Sequence, residues 1–220
     1  MIEAASGQKS AESRTWLDRD LAFTVALFVL ALGVRLFVAI AWSKEPVWDG
    51  HYYHFGAERI AAGLGYSEDV LVRGAPVWKP WTHYPVGYSA LLGLVYAVFG
   101  SGPLVGPIFN AFIGALVVTL VHRVARTCLC ETRARIAGAI AALHPGLIVY
   151  AALIMTELTA AAFLLGAVLV AVRYRDHVKG ALFAGALLGL GALVRPVSLL
   201  ALPLLLFVAP ANSAPFTWSR

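Results

Sequence analysis

Two arginines stand where a cation is costly. Arg35 and Arg195 each lie inside a long apolar run, and a cation within a membrane span costs at least about 2.5 kcal/mol on insertion scales unless it meets a partner or a wet cavity. Each therefore either closes a structural pair with a carbonyl or carboxylate, or faces something anionic. A second constellation is His51, His54 and Glu58. Imidazoles at i and i+3 with a carboxylate at i+7 can converge on a metal, and a solvated helix face produces the same spacing. Lys79 can contact a phosphate or snorkel its ammonium to an interface along its own methylene stem. His144 beside Pro145 fits a hydrogen-bonded core histidine at a kink, and His122 fits a helix end whose dipole favours a cation. The cysteines, Cys128 and Cys130, are too few for a disulfide framework or a cysteine-rich zinc site, and no function is assigned to them.

The elements that carry these residues follow from composition. The chain has 220 residues, 60% of them hydrophobic and 13% charged, with a mean hydropathy of +0.78. Soluble domains average about half apolar and about a quarter charged, so this is an integral membrane protein, and we expect an all-α, polytopic one. The first run, Leu21 to Trp42, is long enough as a helix to cross a hydrocarbon core of about 30 Å. Pro103 to His122, Arg135 to Leu153, Glu157 to Val172 and Gly180 to Ala209 are similar, and the last should kink at Pro196 or Pro203. Val86 to Phe99 is too short to cross and suits an interfacial element. The net charge is +5, and basic residues cluster in short segments: the N-terminal tail, then Arg123, Arg126, Arg133 and Arg135, then Arg173, Arg175 and Lys179. That pattern is a topology signal rather than a nucleic-acid surface. It places residues 1–20 in the cytoplasm as a tail, 21–42 as the first span, 43–102 as an external loop, 103–209 as four further spans and 210–220 as a C-terminal tail. Residues 1–20 are polar and mixed in charge, so no cleavable leader is expected.

The external loop holds most of the polar chemistry. Asp49 to Leu64 reads as a helix lying on the bilayer, with Tyr53, Ala57, Ile60 and Leu64 along one face and Gly63 and Gly65 at its end. A turn-rich segment follows. Trp78, Trp81, Tyr84 and Tyr88 then suit an aromatic belt, and Pro80 and Pro85 stiffen the approach to the short apolar helix.

Several stretches, taken in order, carry a family resemblance: Arg35 in the first span, then D-G-H-Y-Y-H-F-G-A-E-R-I-A-A-G-L-G-Y from Asp49, T-H-Y-P-V-G-Y-S-A-L-L-G-L from Thr82, N-A-F-I-G-A-L-V-V-T-L-V-H-R-V-A-R from Asn110, A-A-L-H-P-G-L-I-V-Y from Ala141, M-T-E-L-T from Met155 and G-A-L-V-R-P from Gly191. From residue 21 to about 205 the chain resembles glycosyltransferase family 39, GT-C enzymes that include protein mannosyltransferases and lipid A aminoarabinose transferases. Two departures stand out. The usual Pro-Pro-Gly-Tyr is Pro85-Val86-Gly87-Tyr88 here, and family members continue through several more spans, which implies a truncated member or a partner that supplies further helices.

The resemblance implies transfer of a sugar from a polyprenyl-phosphate donor to a glycan, lipid or protein acceptor on the outer face, in the bacterial inner membrane, with membrane lipid as the surroundings and no nucleic acid involved. It maps Asp49 onto the catalytic acidic residue, as general base or as ligand of a divalent metal ion, against the plainer reading of a solvated helix N-terminal residue. Glu157 fits the family's T-E pair, with a helix-capping role as the alternative. Arg195 is assigned to the donor phosphate, with Glu157, Lys79, Tyr53 and Tyr88 as further substrate-binding residues. Arg35 is expected to pair structurally, with Asp49 or Glu157. No Gly-rich phosphate loop occurs, which disfavours a nucleotide-sugar donor in a Rossmann domain. Two other classes share these features: a transporter or flippase for lipid-linked sugars, and a non-catalytic membrane assembly subunit.

Overall fold

The computed structural model describes residues 2–42 and 45–208, with side chains from 19 to 42 and from 45 to 205. Ala209 and the C-terminal tail 210–220 lie outside the described residues. Helix α1 (Ile2–Ala41) takes in the polar N-terminal segment as well as the first apolar run. Helices α2 (Gly50–Ala61) and α3 (Val86–Phe99) flank a hairpin of strands β1 (Ser67–Val72) and β2 (Ala75–Pro80). The remaining elements are α4 (Val105–Cys128), α5 (Glu131–Leu143), α6 (Pro145–Ala152), α7 (Glu157–Arg173), α8 (Val178–Val194), a short 3-10 turn (Pro196–Ala201) and α9 (Leu202–Val208).

The chain is thus mainly helical, as expected, apart from the hairpin, which replaces a segment read only as turn-rich. Its cause is local. Arg73 and Gly74 both have positive φ, 53° and 84°, the geometry of a two-residue turn that matches strand twist, and it sets Ser67 opposite Pro80 and Glu68 opposite Lys79. Helix α2 ends where glycine requires it, with Gly63 and Gly65 at φ 75° and 71°.

Among the described residues two helical segments, Arg19–Ala41 and Val105–Cys128, are long and apolar enough to cross a membrane, and the pair α5–α6, bent by 45°, makes a third if it is one span. The bend has a clear physical origin. Pro145 lacks the N–H that would continue α5 and so leaves the carbonyl of Ala141 without its helical donor. Arg35, fully buried, supplies the substitute: its Nη2 donates to Ala141 O at 3.3 Å and its Nη1 to Ala142 O at 3.1 Å. Arg35 therefore caps α5 and does not pair with Asp49 or Glu157, the partners expected from the sequence. Gly114 makes the room, because a Cβ there would lie 2.8 Å from Arg35 Cδ and Nε. His144 is not a core residue either. It is exposed, and its Nδ1 accepts from Leu147 N at 3.4 Å as the N-cap of α6.

Helix α1 runs antiparallel to α4, with Leu27, Ala31, Ala115, Val118, Ala141 and Ala142 forming one apolar core. At the far end Asp20 takes Arg123 at 2.6 Å and Arg126 at 3.2 Å. His122 is buried between α1, α4 and α5 rather than set at a helix end. Its Nδ1 lies 3.2 Å from Ala134 O and its ring packs edge-on against Phe23. Helix α8 stops at Arg195 because the residue before a proline is pushed out of helical geometry; Arg195 is extended, φ −145° and ψ 113°. Pro203, in the first turn of α9, needs no hydrogen-bond donor.

Candidate functional site

Four element ends meet at the end of the bundle opposite Asp20: the N-termini of α2, α3 and α7 and the C-terminus of α8. Beneath them Tyr53, Tyr88, Leu92, Ile154, Ala160 and Val194 form a second apolar core. Two glycines permit this convergence. A Cβ on Gly87 would lie 2.5 to 2.7 Å from the backbone of Leu193 and Val194, and one on Gly50 would lie 2.9 Å from Ile154 O. Only a residue without a side chain lets α3 rest on the end of α8 and α2 on the segment before α7.

Asp49 precedes α2 and makes no cap with its side chain. Its Oδ1 instead accepts the Tyr84 hydroxyl at 2.9 Å. The bond to that carboxylate, ahead of smaller contributions, pushes the Tyr84 hydroxyl up to about 12. Tyr53, one turn into α2, is buried with its hydroxyl against the Thr156 side chain. Burial raises its pKa most. The charges of Asp49 and Glu157 add to that, while Thr156 and Arg195 oppose it. Tyr53 thus sits within the fields of all three charged candidates.

Glu157 opens α7 and Arg195 closes α8, each at the helix end whose dipole favours its charge. They form an ion pair, Arg195 Nη1 to Glu157 Oε1 at 2.8 Å. The Arg195 side chain remains 44% exposed, so part of its guanidinium fork faces outward. Glu157 Oε2 is buried and has no hydrogen-bond partner among the described residues, an unusual state for a carboxylate oxygen. Tyr88 supports the site from below: it is fully buried and donates to Asn110 Oδ1 at 3.0 Å, and Asn110 Nδ2 in turn holds Leu153 O. Lys79 lies on β2 with its side chain exposed, across from Glu68, and makes no ion pair among the described residues.

His51, His54 and Glu58 do not converge on a common point. His54 spends its ring nitrogens on Tyr96 Oη at 2.8 Å and Glu58 at 3.5 Å, and Glu58 accepts from Ser101 at 2.7 Å. No group of three such side chains able to hold a metal occurs among the described residues. Next to Asp49 a cavity of about 300 Å³ is lined mostly by apolar groups, among them Trp42, Val47, Trp48, Pro107, Val149 and Leu153. Trp48, with φ 50°, turns the chain from this wall to Asp49.

Sequence reasoning missed Tyr84, Thr156 and Asn110. In sequence Tyr84 fits an aromatic belt, and its place in T-H-Y-P, immediately before the proline that starts α3, is the signal for its other role. Thr156 and Asn110 stand in the M-T-E-L-T and N-A-F-I-G stretches, but their partners come from other elements, so neither contact is legible from its own stretch of chain.

At one end the helical bundle thus gathers a carboxylate, an ion pair and tyrosine hydroxyls. The family described as dolichyl-phosphate-mannose-protein mannosyltransferase matches residues 83–217, more than half of the chain. The protein belongs to this family and is a membrane glycosyltransferase of the GT-C type. The matched region includes Glu157 and Arg195 and begins after Asp49. No curated protein and no solved structure gives a significant match.

Proposed function

We propose that the protein transfers a sugar from a polyprenyl-phosphate donor to an acceptor hydroxyl at the outer face of a bacterial inner membrane, with Asp49 as general base. The acceptor oxygen attacks the anomeric carbon and its proton passes to the Asp49 carboxylate. The bond from that carbon to the phosphate oxygen breaks, and its electron pair leaves on the polyprenyl phosphate. Arg195 meets the negative charge that grows there with the N–H groups not spent on Glu157, and a preorganised cation in a dry site is worth far more than one in water. Glu157 Oε2 is available to a sugar hydroxyl. The cavity beside Trp42 and Trp48 suits the first isoprene units, and Lys79 is a second contact for phosphate.

The observation that carries this reading is the convergence of Asp49, Tyr53, Glu157 and Arg195 in a chain of this family. The basic residues Arg123 and Arg126 lie at the opposite end, consistent with a site facing outward. Mass spectrometry of lipid-linked sugars and glycoconjugates in a deletion strain tests it. One sugar substituent should vanish while its lipid-linked donor accumulates, and the wild-type chain but not Asp49→Asn should restore the product. Restoration by Asp49→Asn would favour a flippase or an assembly subunit, neither of which needs a base at that position.

A further inference from the structure

A second recess of different chemistry lies next to Tyr84, the residue bonded to Asp49. It has a volume of about 430 Å³ and is lined by Tyr52, Glu68, Trp81, Thr82 and His83, which is within the size range of small-molecule sites. Three of the five are aromatic, and their rings are in mutual contact: Tyr52 to Trp81 at 5.9 Å, Tyr52 to His83 at 5.5 Å and Trp81 to His83 at 6.4 Å. The other two offer a carboxylate and a hydroxyl.

The recess is built rather than incidental. Trp81 N donates to Tyr66 O at 3.0 Å, and the Trp81 ring rests on Phe55 at 5.4 Å. The Tyr66 hydroxyl fixes Tyr84 O at 3.0 Å. The hairpin supplies Glu68 from β1 and delivers Trp81 immediately after β2, while Tyr52 projects from α2 with 40% of its surface exposed. The recess also connects to the base. Tyr84 lies tilted against Tyr52 at 5.1 Å and edge-on to His83 at 4.7 Å, and its hydroxyl is bonded to Asp49.

An aromatic floor with a carboxylate and a hydroxyl at its edge matches an amphipathic ligand that has one C–H face and a rim of hydroxyls, which describes a pyranose. Ring faces take up the apolar side, and the acceptor oxygens of Glu68 and Thr82 take the hydroxyl protons. A lipid tail would leave the Glu68 carboxylate desolvated without a partner.

We infer that this recess is a saccharide subsite and that the acceptor of the transfer is a glycan, held with one hydroxyl turned toward Asp49. The inference rests on the transferase reading for its role, though not for the binding itself. The test uses the full chain in nanodiscs, without donor, on an array of neutral and acidic oligosaccharides, with the strongest responder then titrated by saturation-transfer NMR. Binding should weaken at least tenfold in Tyr52→Leu and severalfold in Glu68→Gln, while Tyr52→Phe, which keeps the ring, should stay within about twofold of wild type. Tyr52 keeps 40% of its surface exposed, and a melting temperature for Tyr52→Leu within a few degrees of wild type shows that lost binding is not lost folding. No response from any oligosaccharide, or a response unchanged by both Tyr52→Leu and Glu68→Gln, overturns the subsite. Glycan binding with no transfer by the wild-type chain would sink the transferase reading and leave the subsite standing; transfer to a peptide or lipid without glycan binding would do the reverse.

Discussion

Tyr84 donates to Asp49 at 2.9 Å, so the proposed base has its orientation fixed by a neighbour that does not itself touch the reacting atoms. Tyr84→Phe removes that donor and keeps the ring contacts with Tyr52, Tyr53 and His83. We expect transfer to fall by about tenfold, the scale of one hydrogen bond to a charged group, with the melting temperature little changed. The same contact sets a pH limit. The fold raises the Tyr84 hydroxyl from 10.0 to about 12, so its donated bond is intact below about pH 10 and is lost as pH rises through about 12. Burial also raises Tyr53, Tyr66, Tyr88 and Tyr96, so tyrosinate absorbance should show a late-titrating class that loses one tyrosine, Tyr84, in Asp49→Asn, and an unchanged titration would mean that the contact is not made in solution. Arg195 is the second residue on which the scheme turns. If it meets donor phosphate, Arg195→Gln should weaken crosslinking by a photoreactive polyprenyl-phosphate analogue, and Arg195→Lys should retain part of it, having charge without the bidentate fork. A purely structural pair with Glu157 would instead lower thermal stability in Arg195→Gln, with crosslinking per folded molecule unchanged.

At the scale of elements, the bend between α5 and α6 depends on a residue far away in sequence. Arg35→Met would leave the carbonyls of Ala141 and Ala142 buried and unbonded, a cost of about 1–3 kcal/mol each, and Gly114→Ala would press a methyl into the Arg35 stem. Both should lower the melting temperature in detergent by several degrees, and a neutral Arg35→Met would remove the cap from the account. Gly87→Ala should act differently, forcing α3 away from Leu193 and Val194 and reducing transfer more than stability. Much of this arrangement was legible in the sequence. The bounds of α3, the glycine stop of α2 and the breaks at Pro145 and Pro196 follow from local chemistry, which a single stretch of chain contains. The hairpin was not, because Pro76, Pro80 and the charges of Glu68, Asp69 and Lys79 mask its alternation. Nor were the carbonyl partners of Arg35, which stand 106 and 107 positions along the chain, or the bond from Tyr84 to Asp49. Asp49, Glu157 and Arg195 could be named from the sequence; that Glu157 and Arg195 hold each other emerges only when α7 and α8 lie antiparallel.

For the whole molecule, the two ends carry different chemistry, and orientation decides whether the site faces its substrates. Cysteines placed at Ser67 and Thr132, in a background lacking Cys128 and Cys130, should react with an impermeant thiol reagent in intact cells only at position 67. Labelling at 132 alone would turn Asp49 to the cytoplasm and contradict an external reaction. The central claim is that this bundle end performs glycosyl transfer with Asp49 as base, and it is tested most directly in membranes carrying matched amounts of wild-type or Asp49→Asn protein. The membranes are supplied with radiolabelled short-chain polyprenyl-phosphate hexoses and pentoses, and label entering the acceptor fraction is measured. Asp49→Asn keeps size and much of the hydrogen bonding but removes the basicity that deprotonation requires. Transfer should fall by orders of magnitude in Asp49→Asn with donor binding close to wild type; transfer at the wild-type rate would mean that Asp49 is not the base.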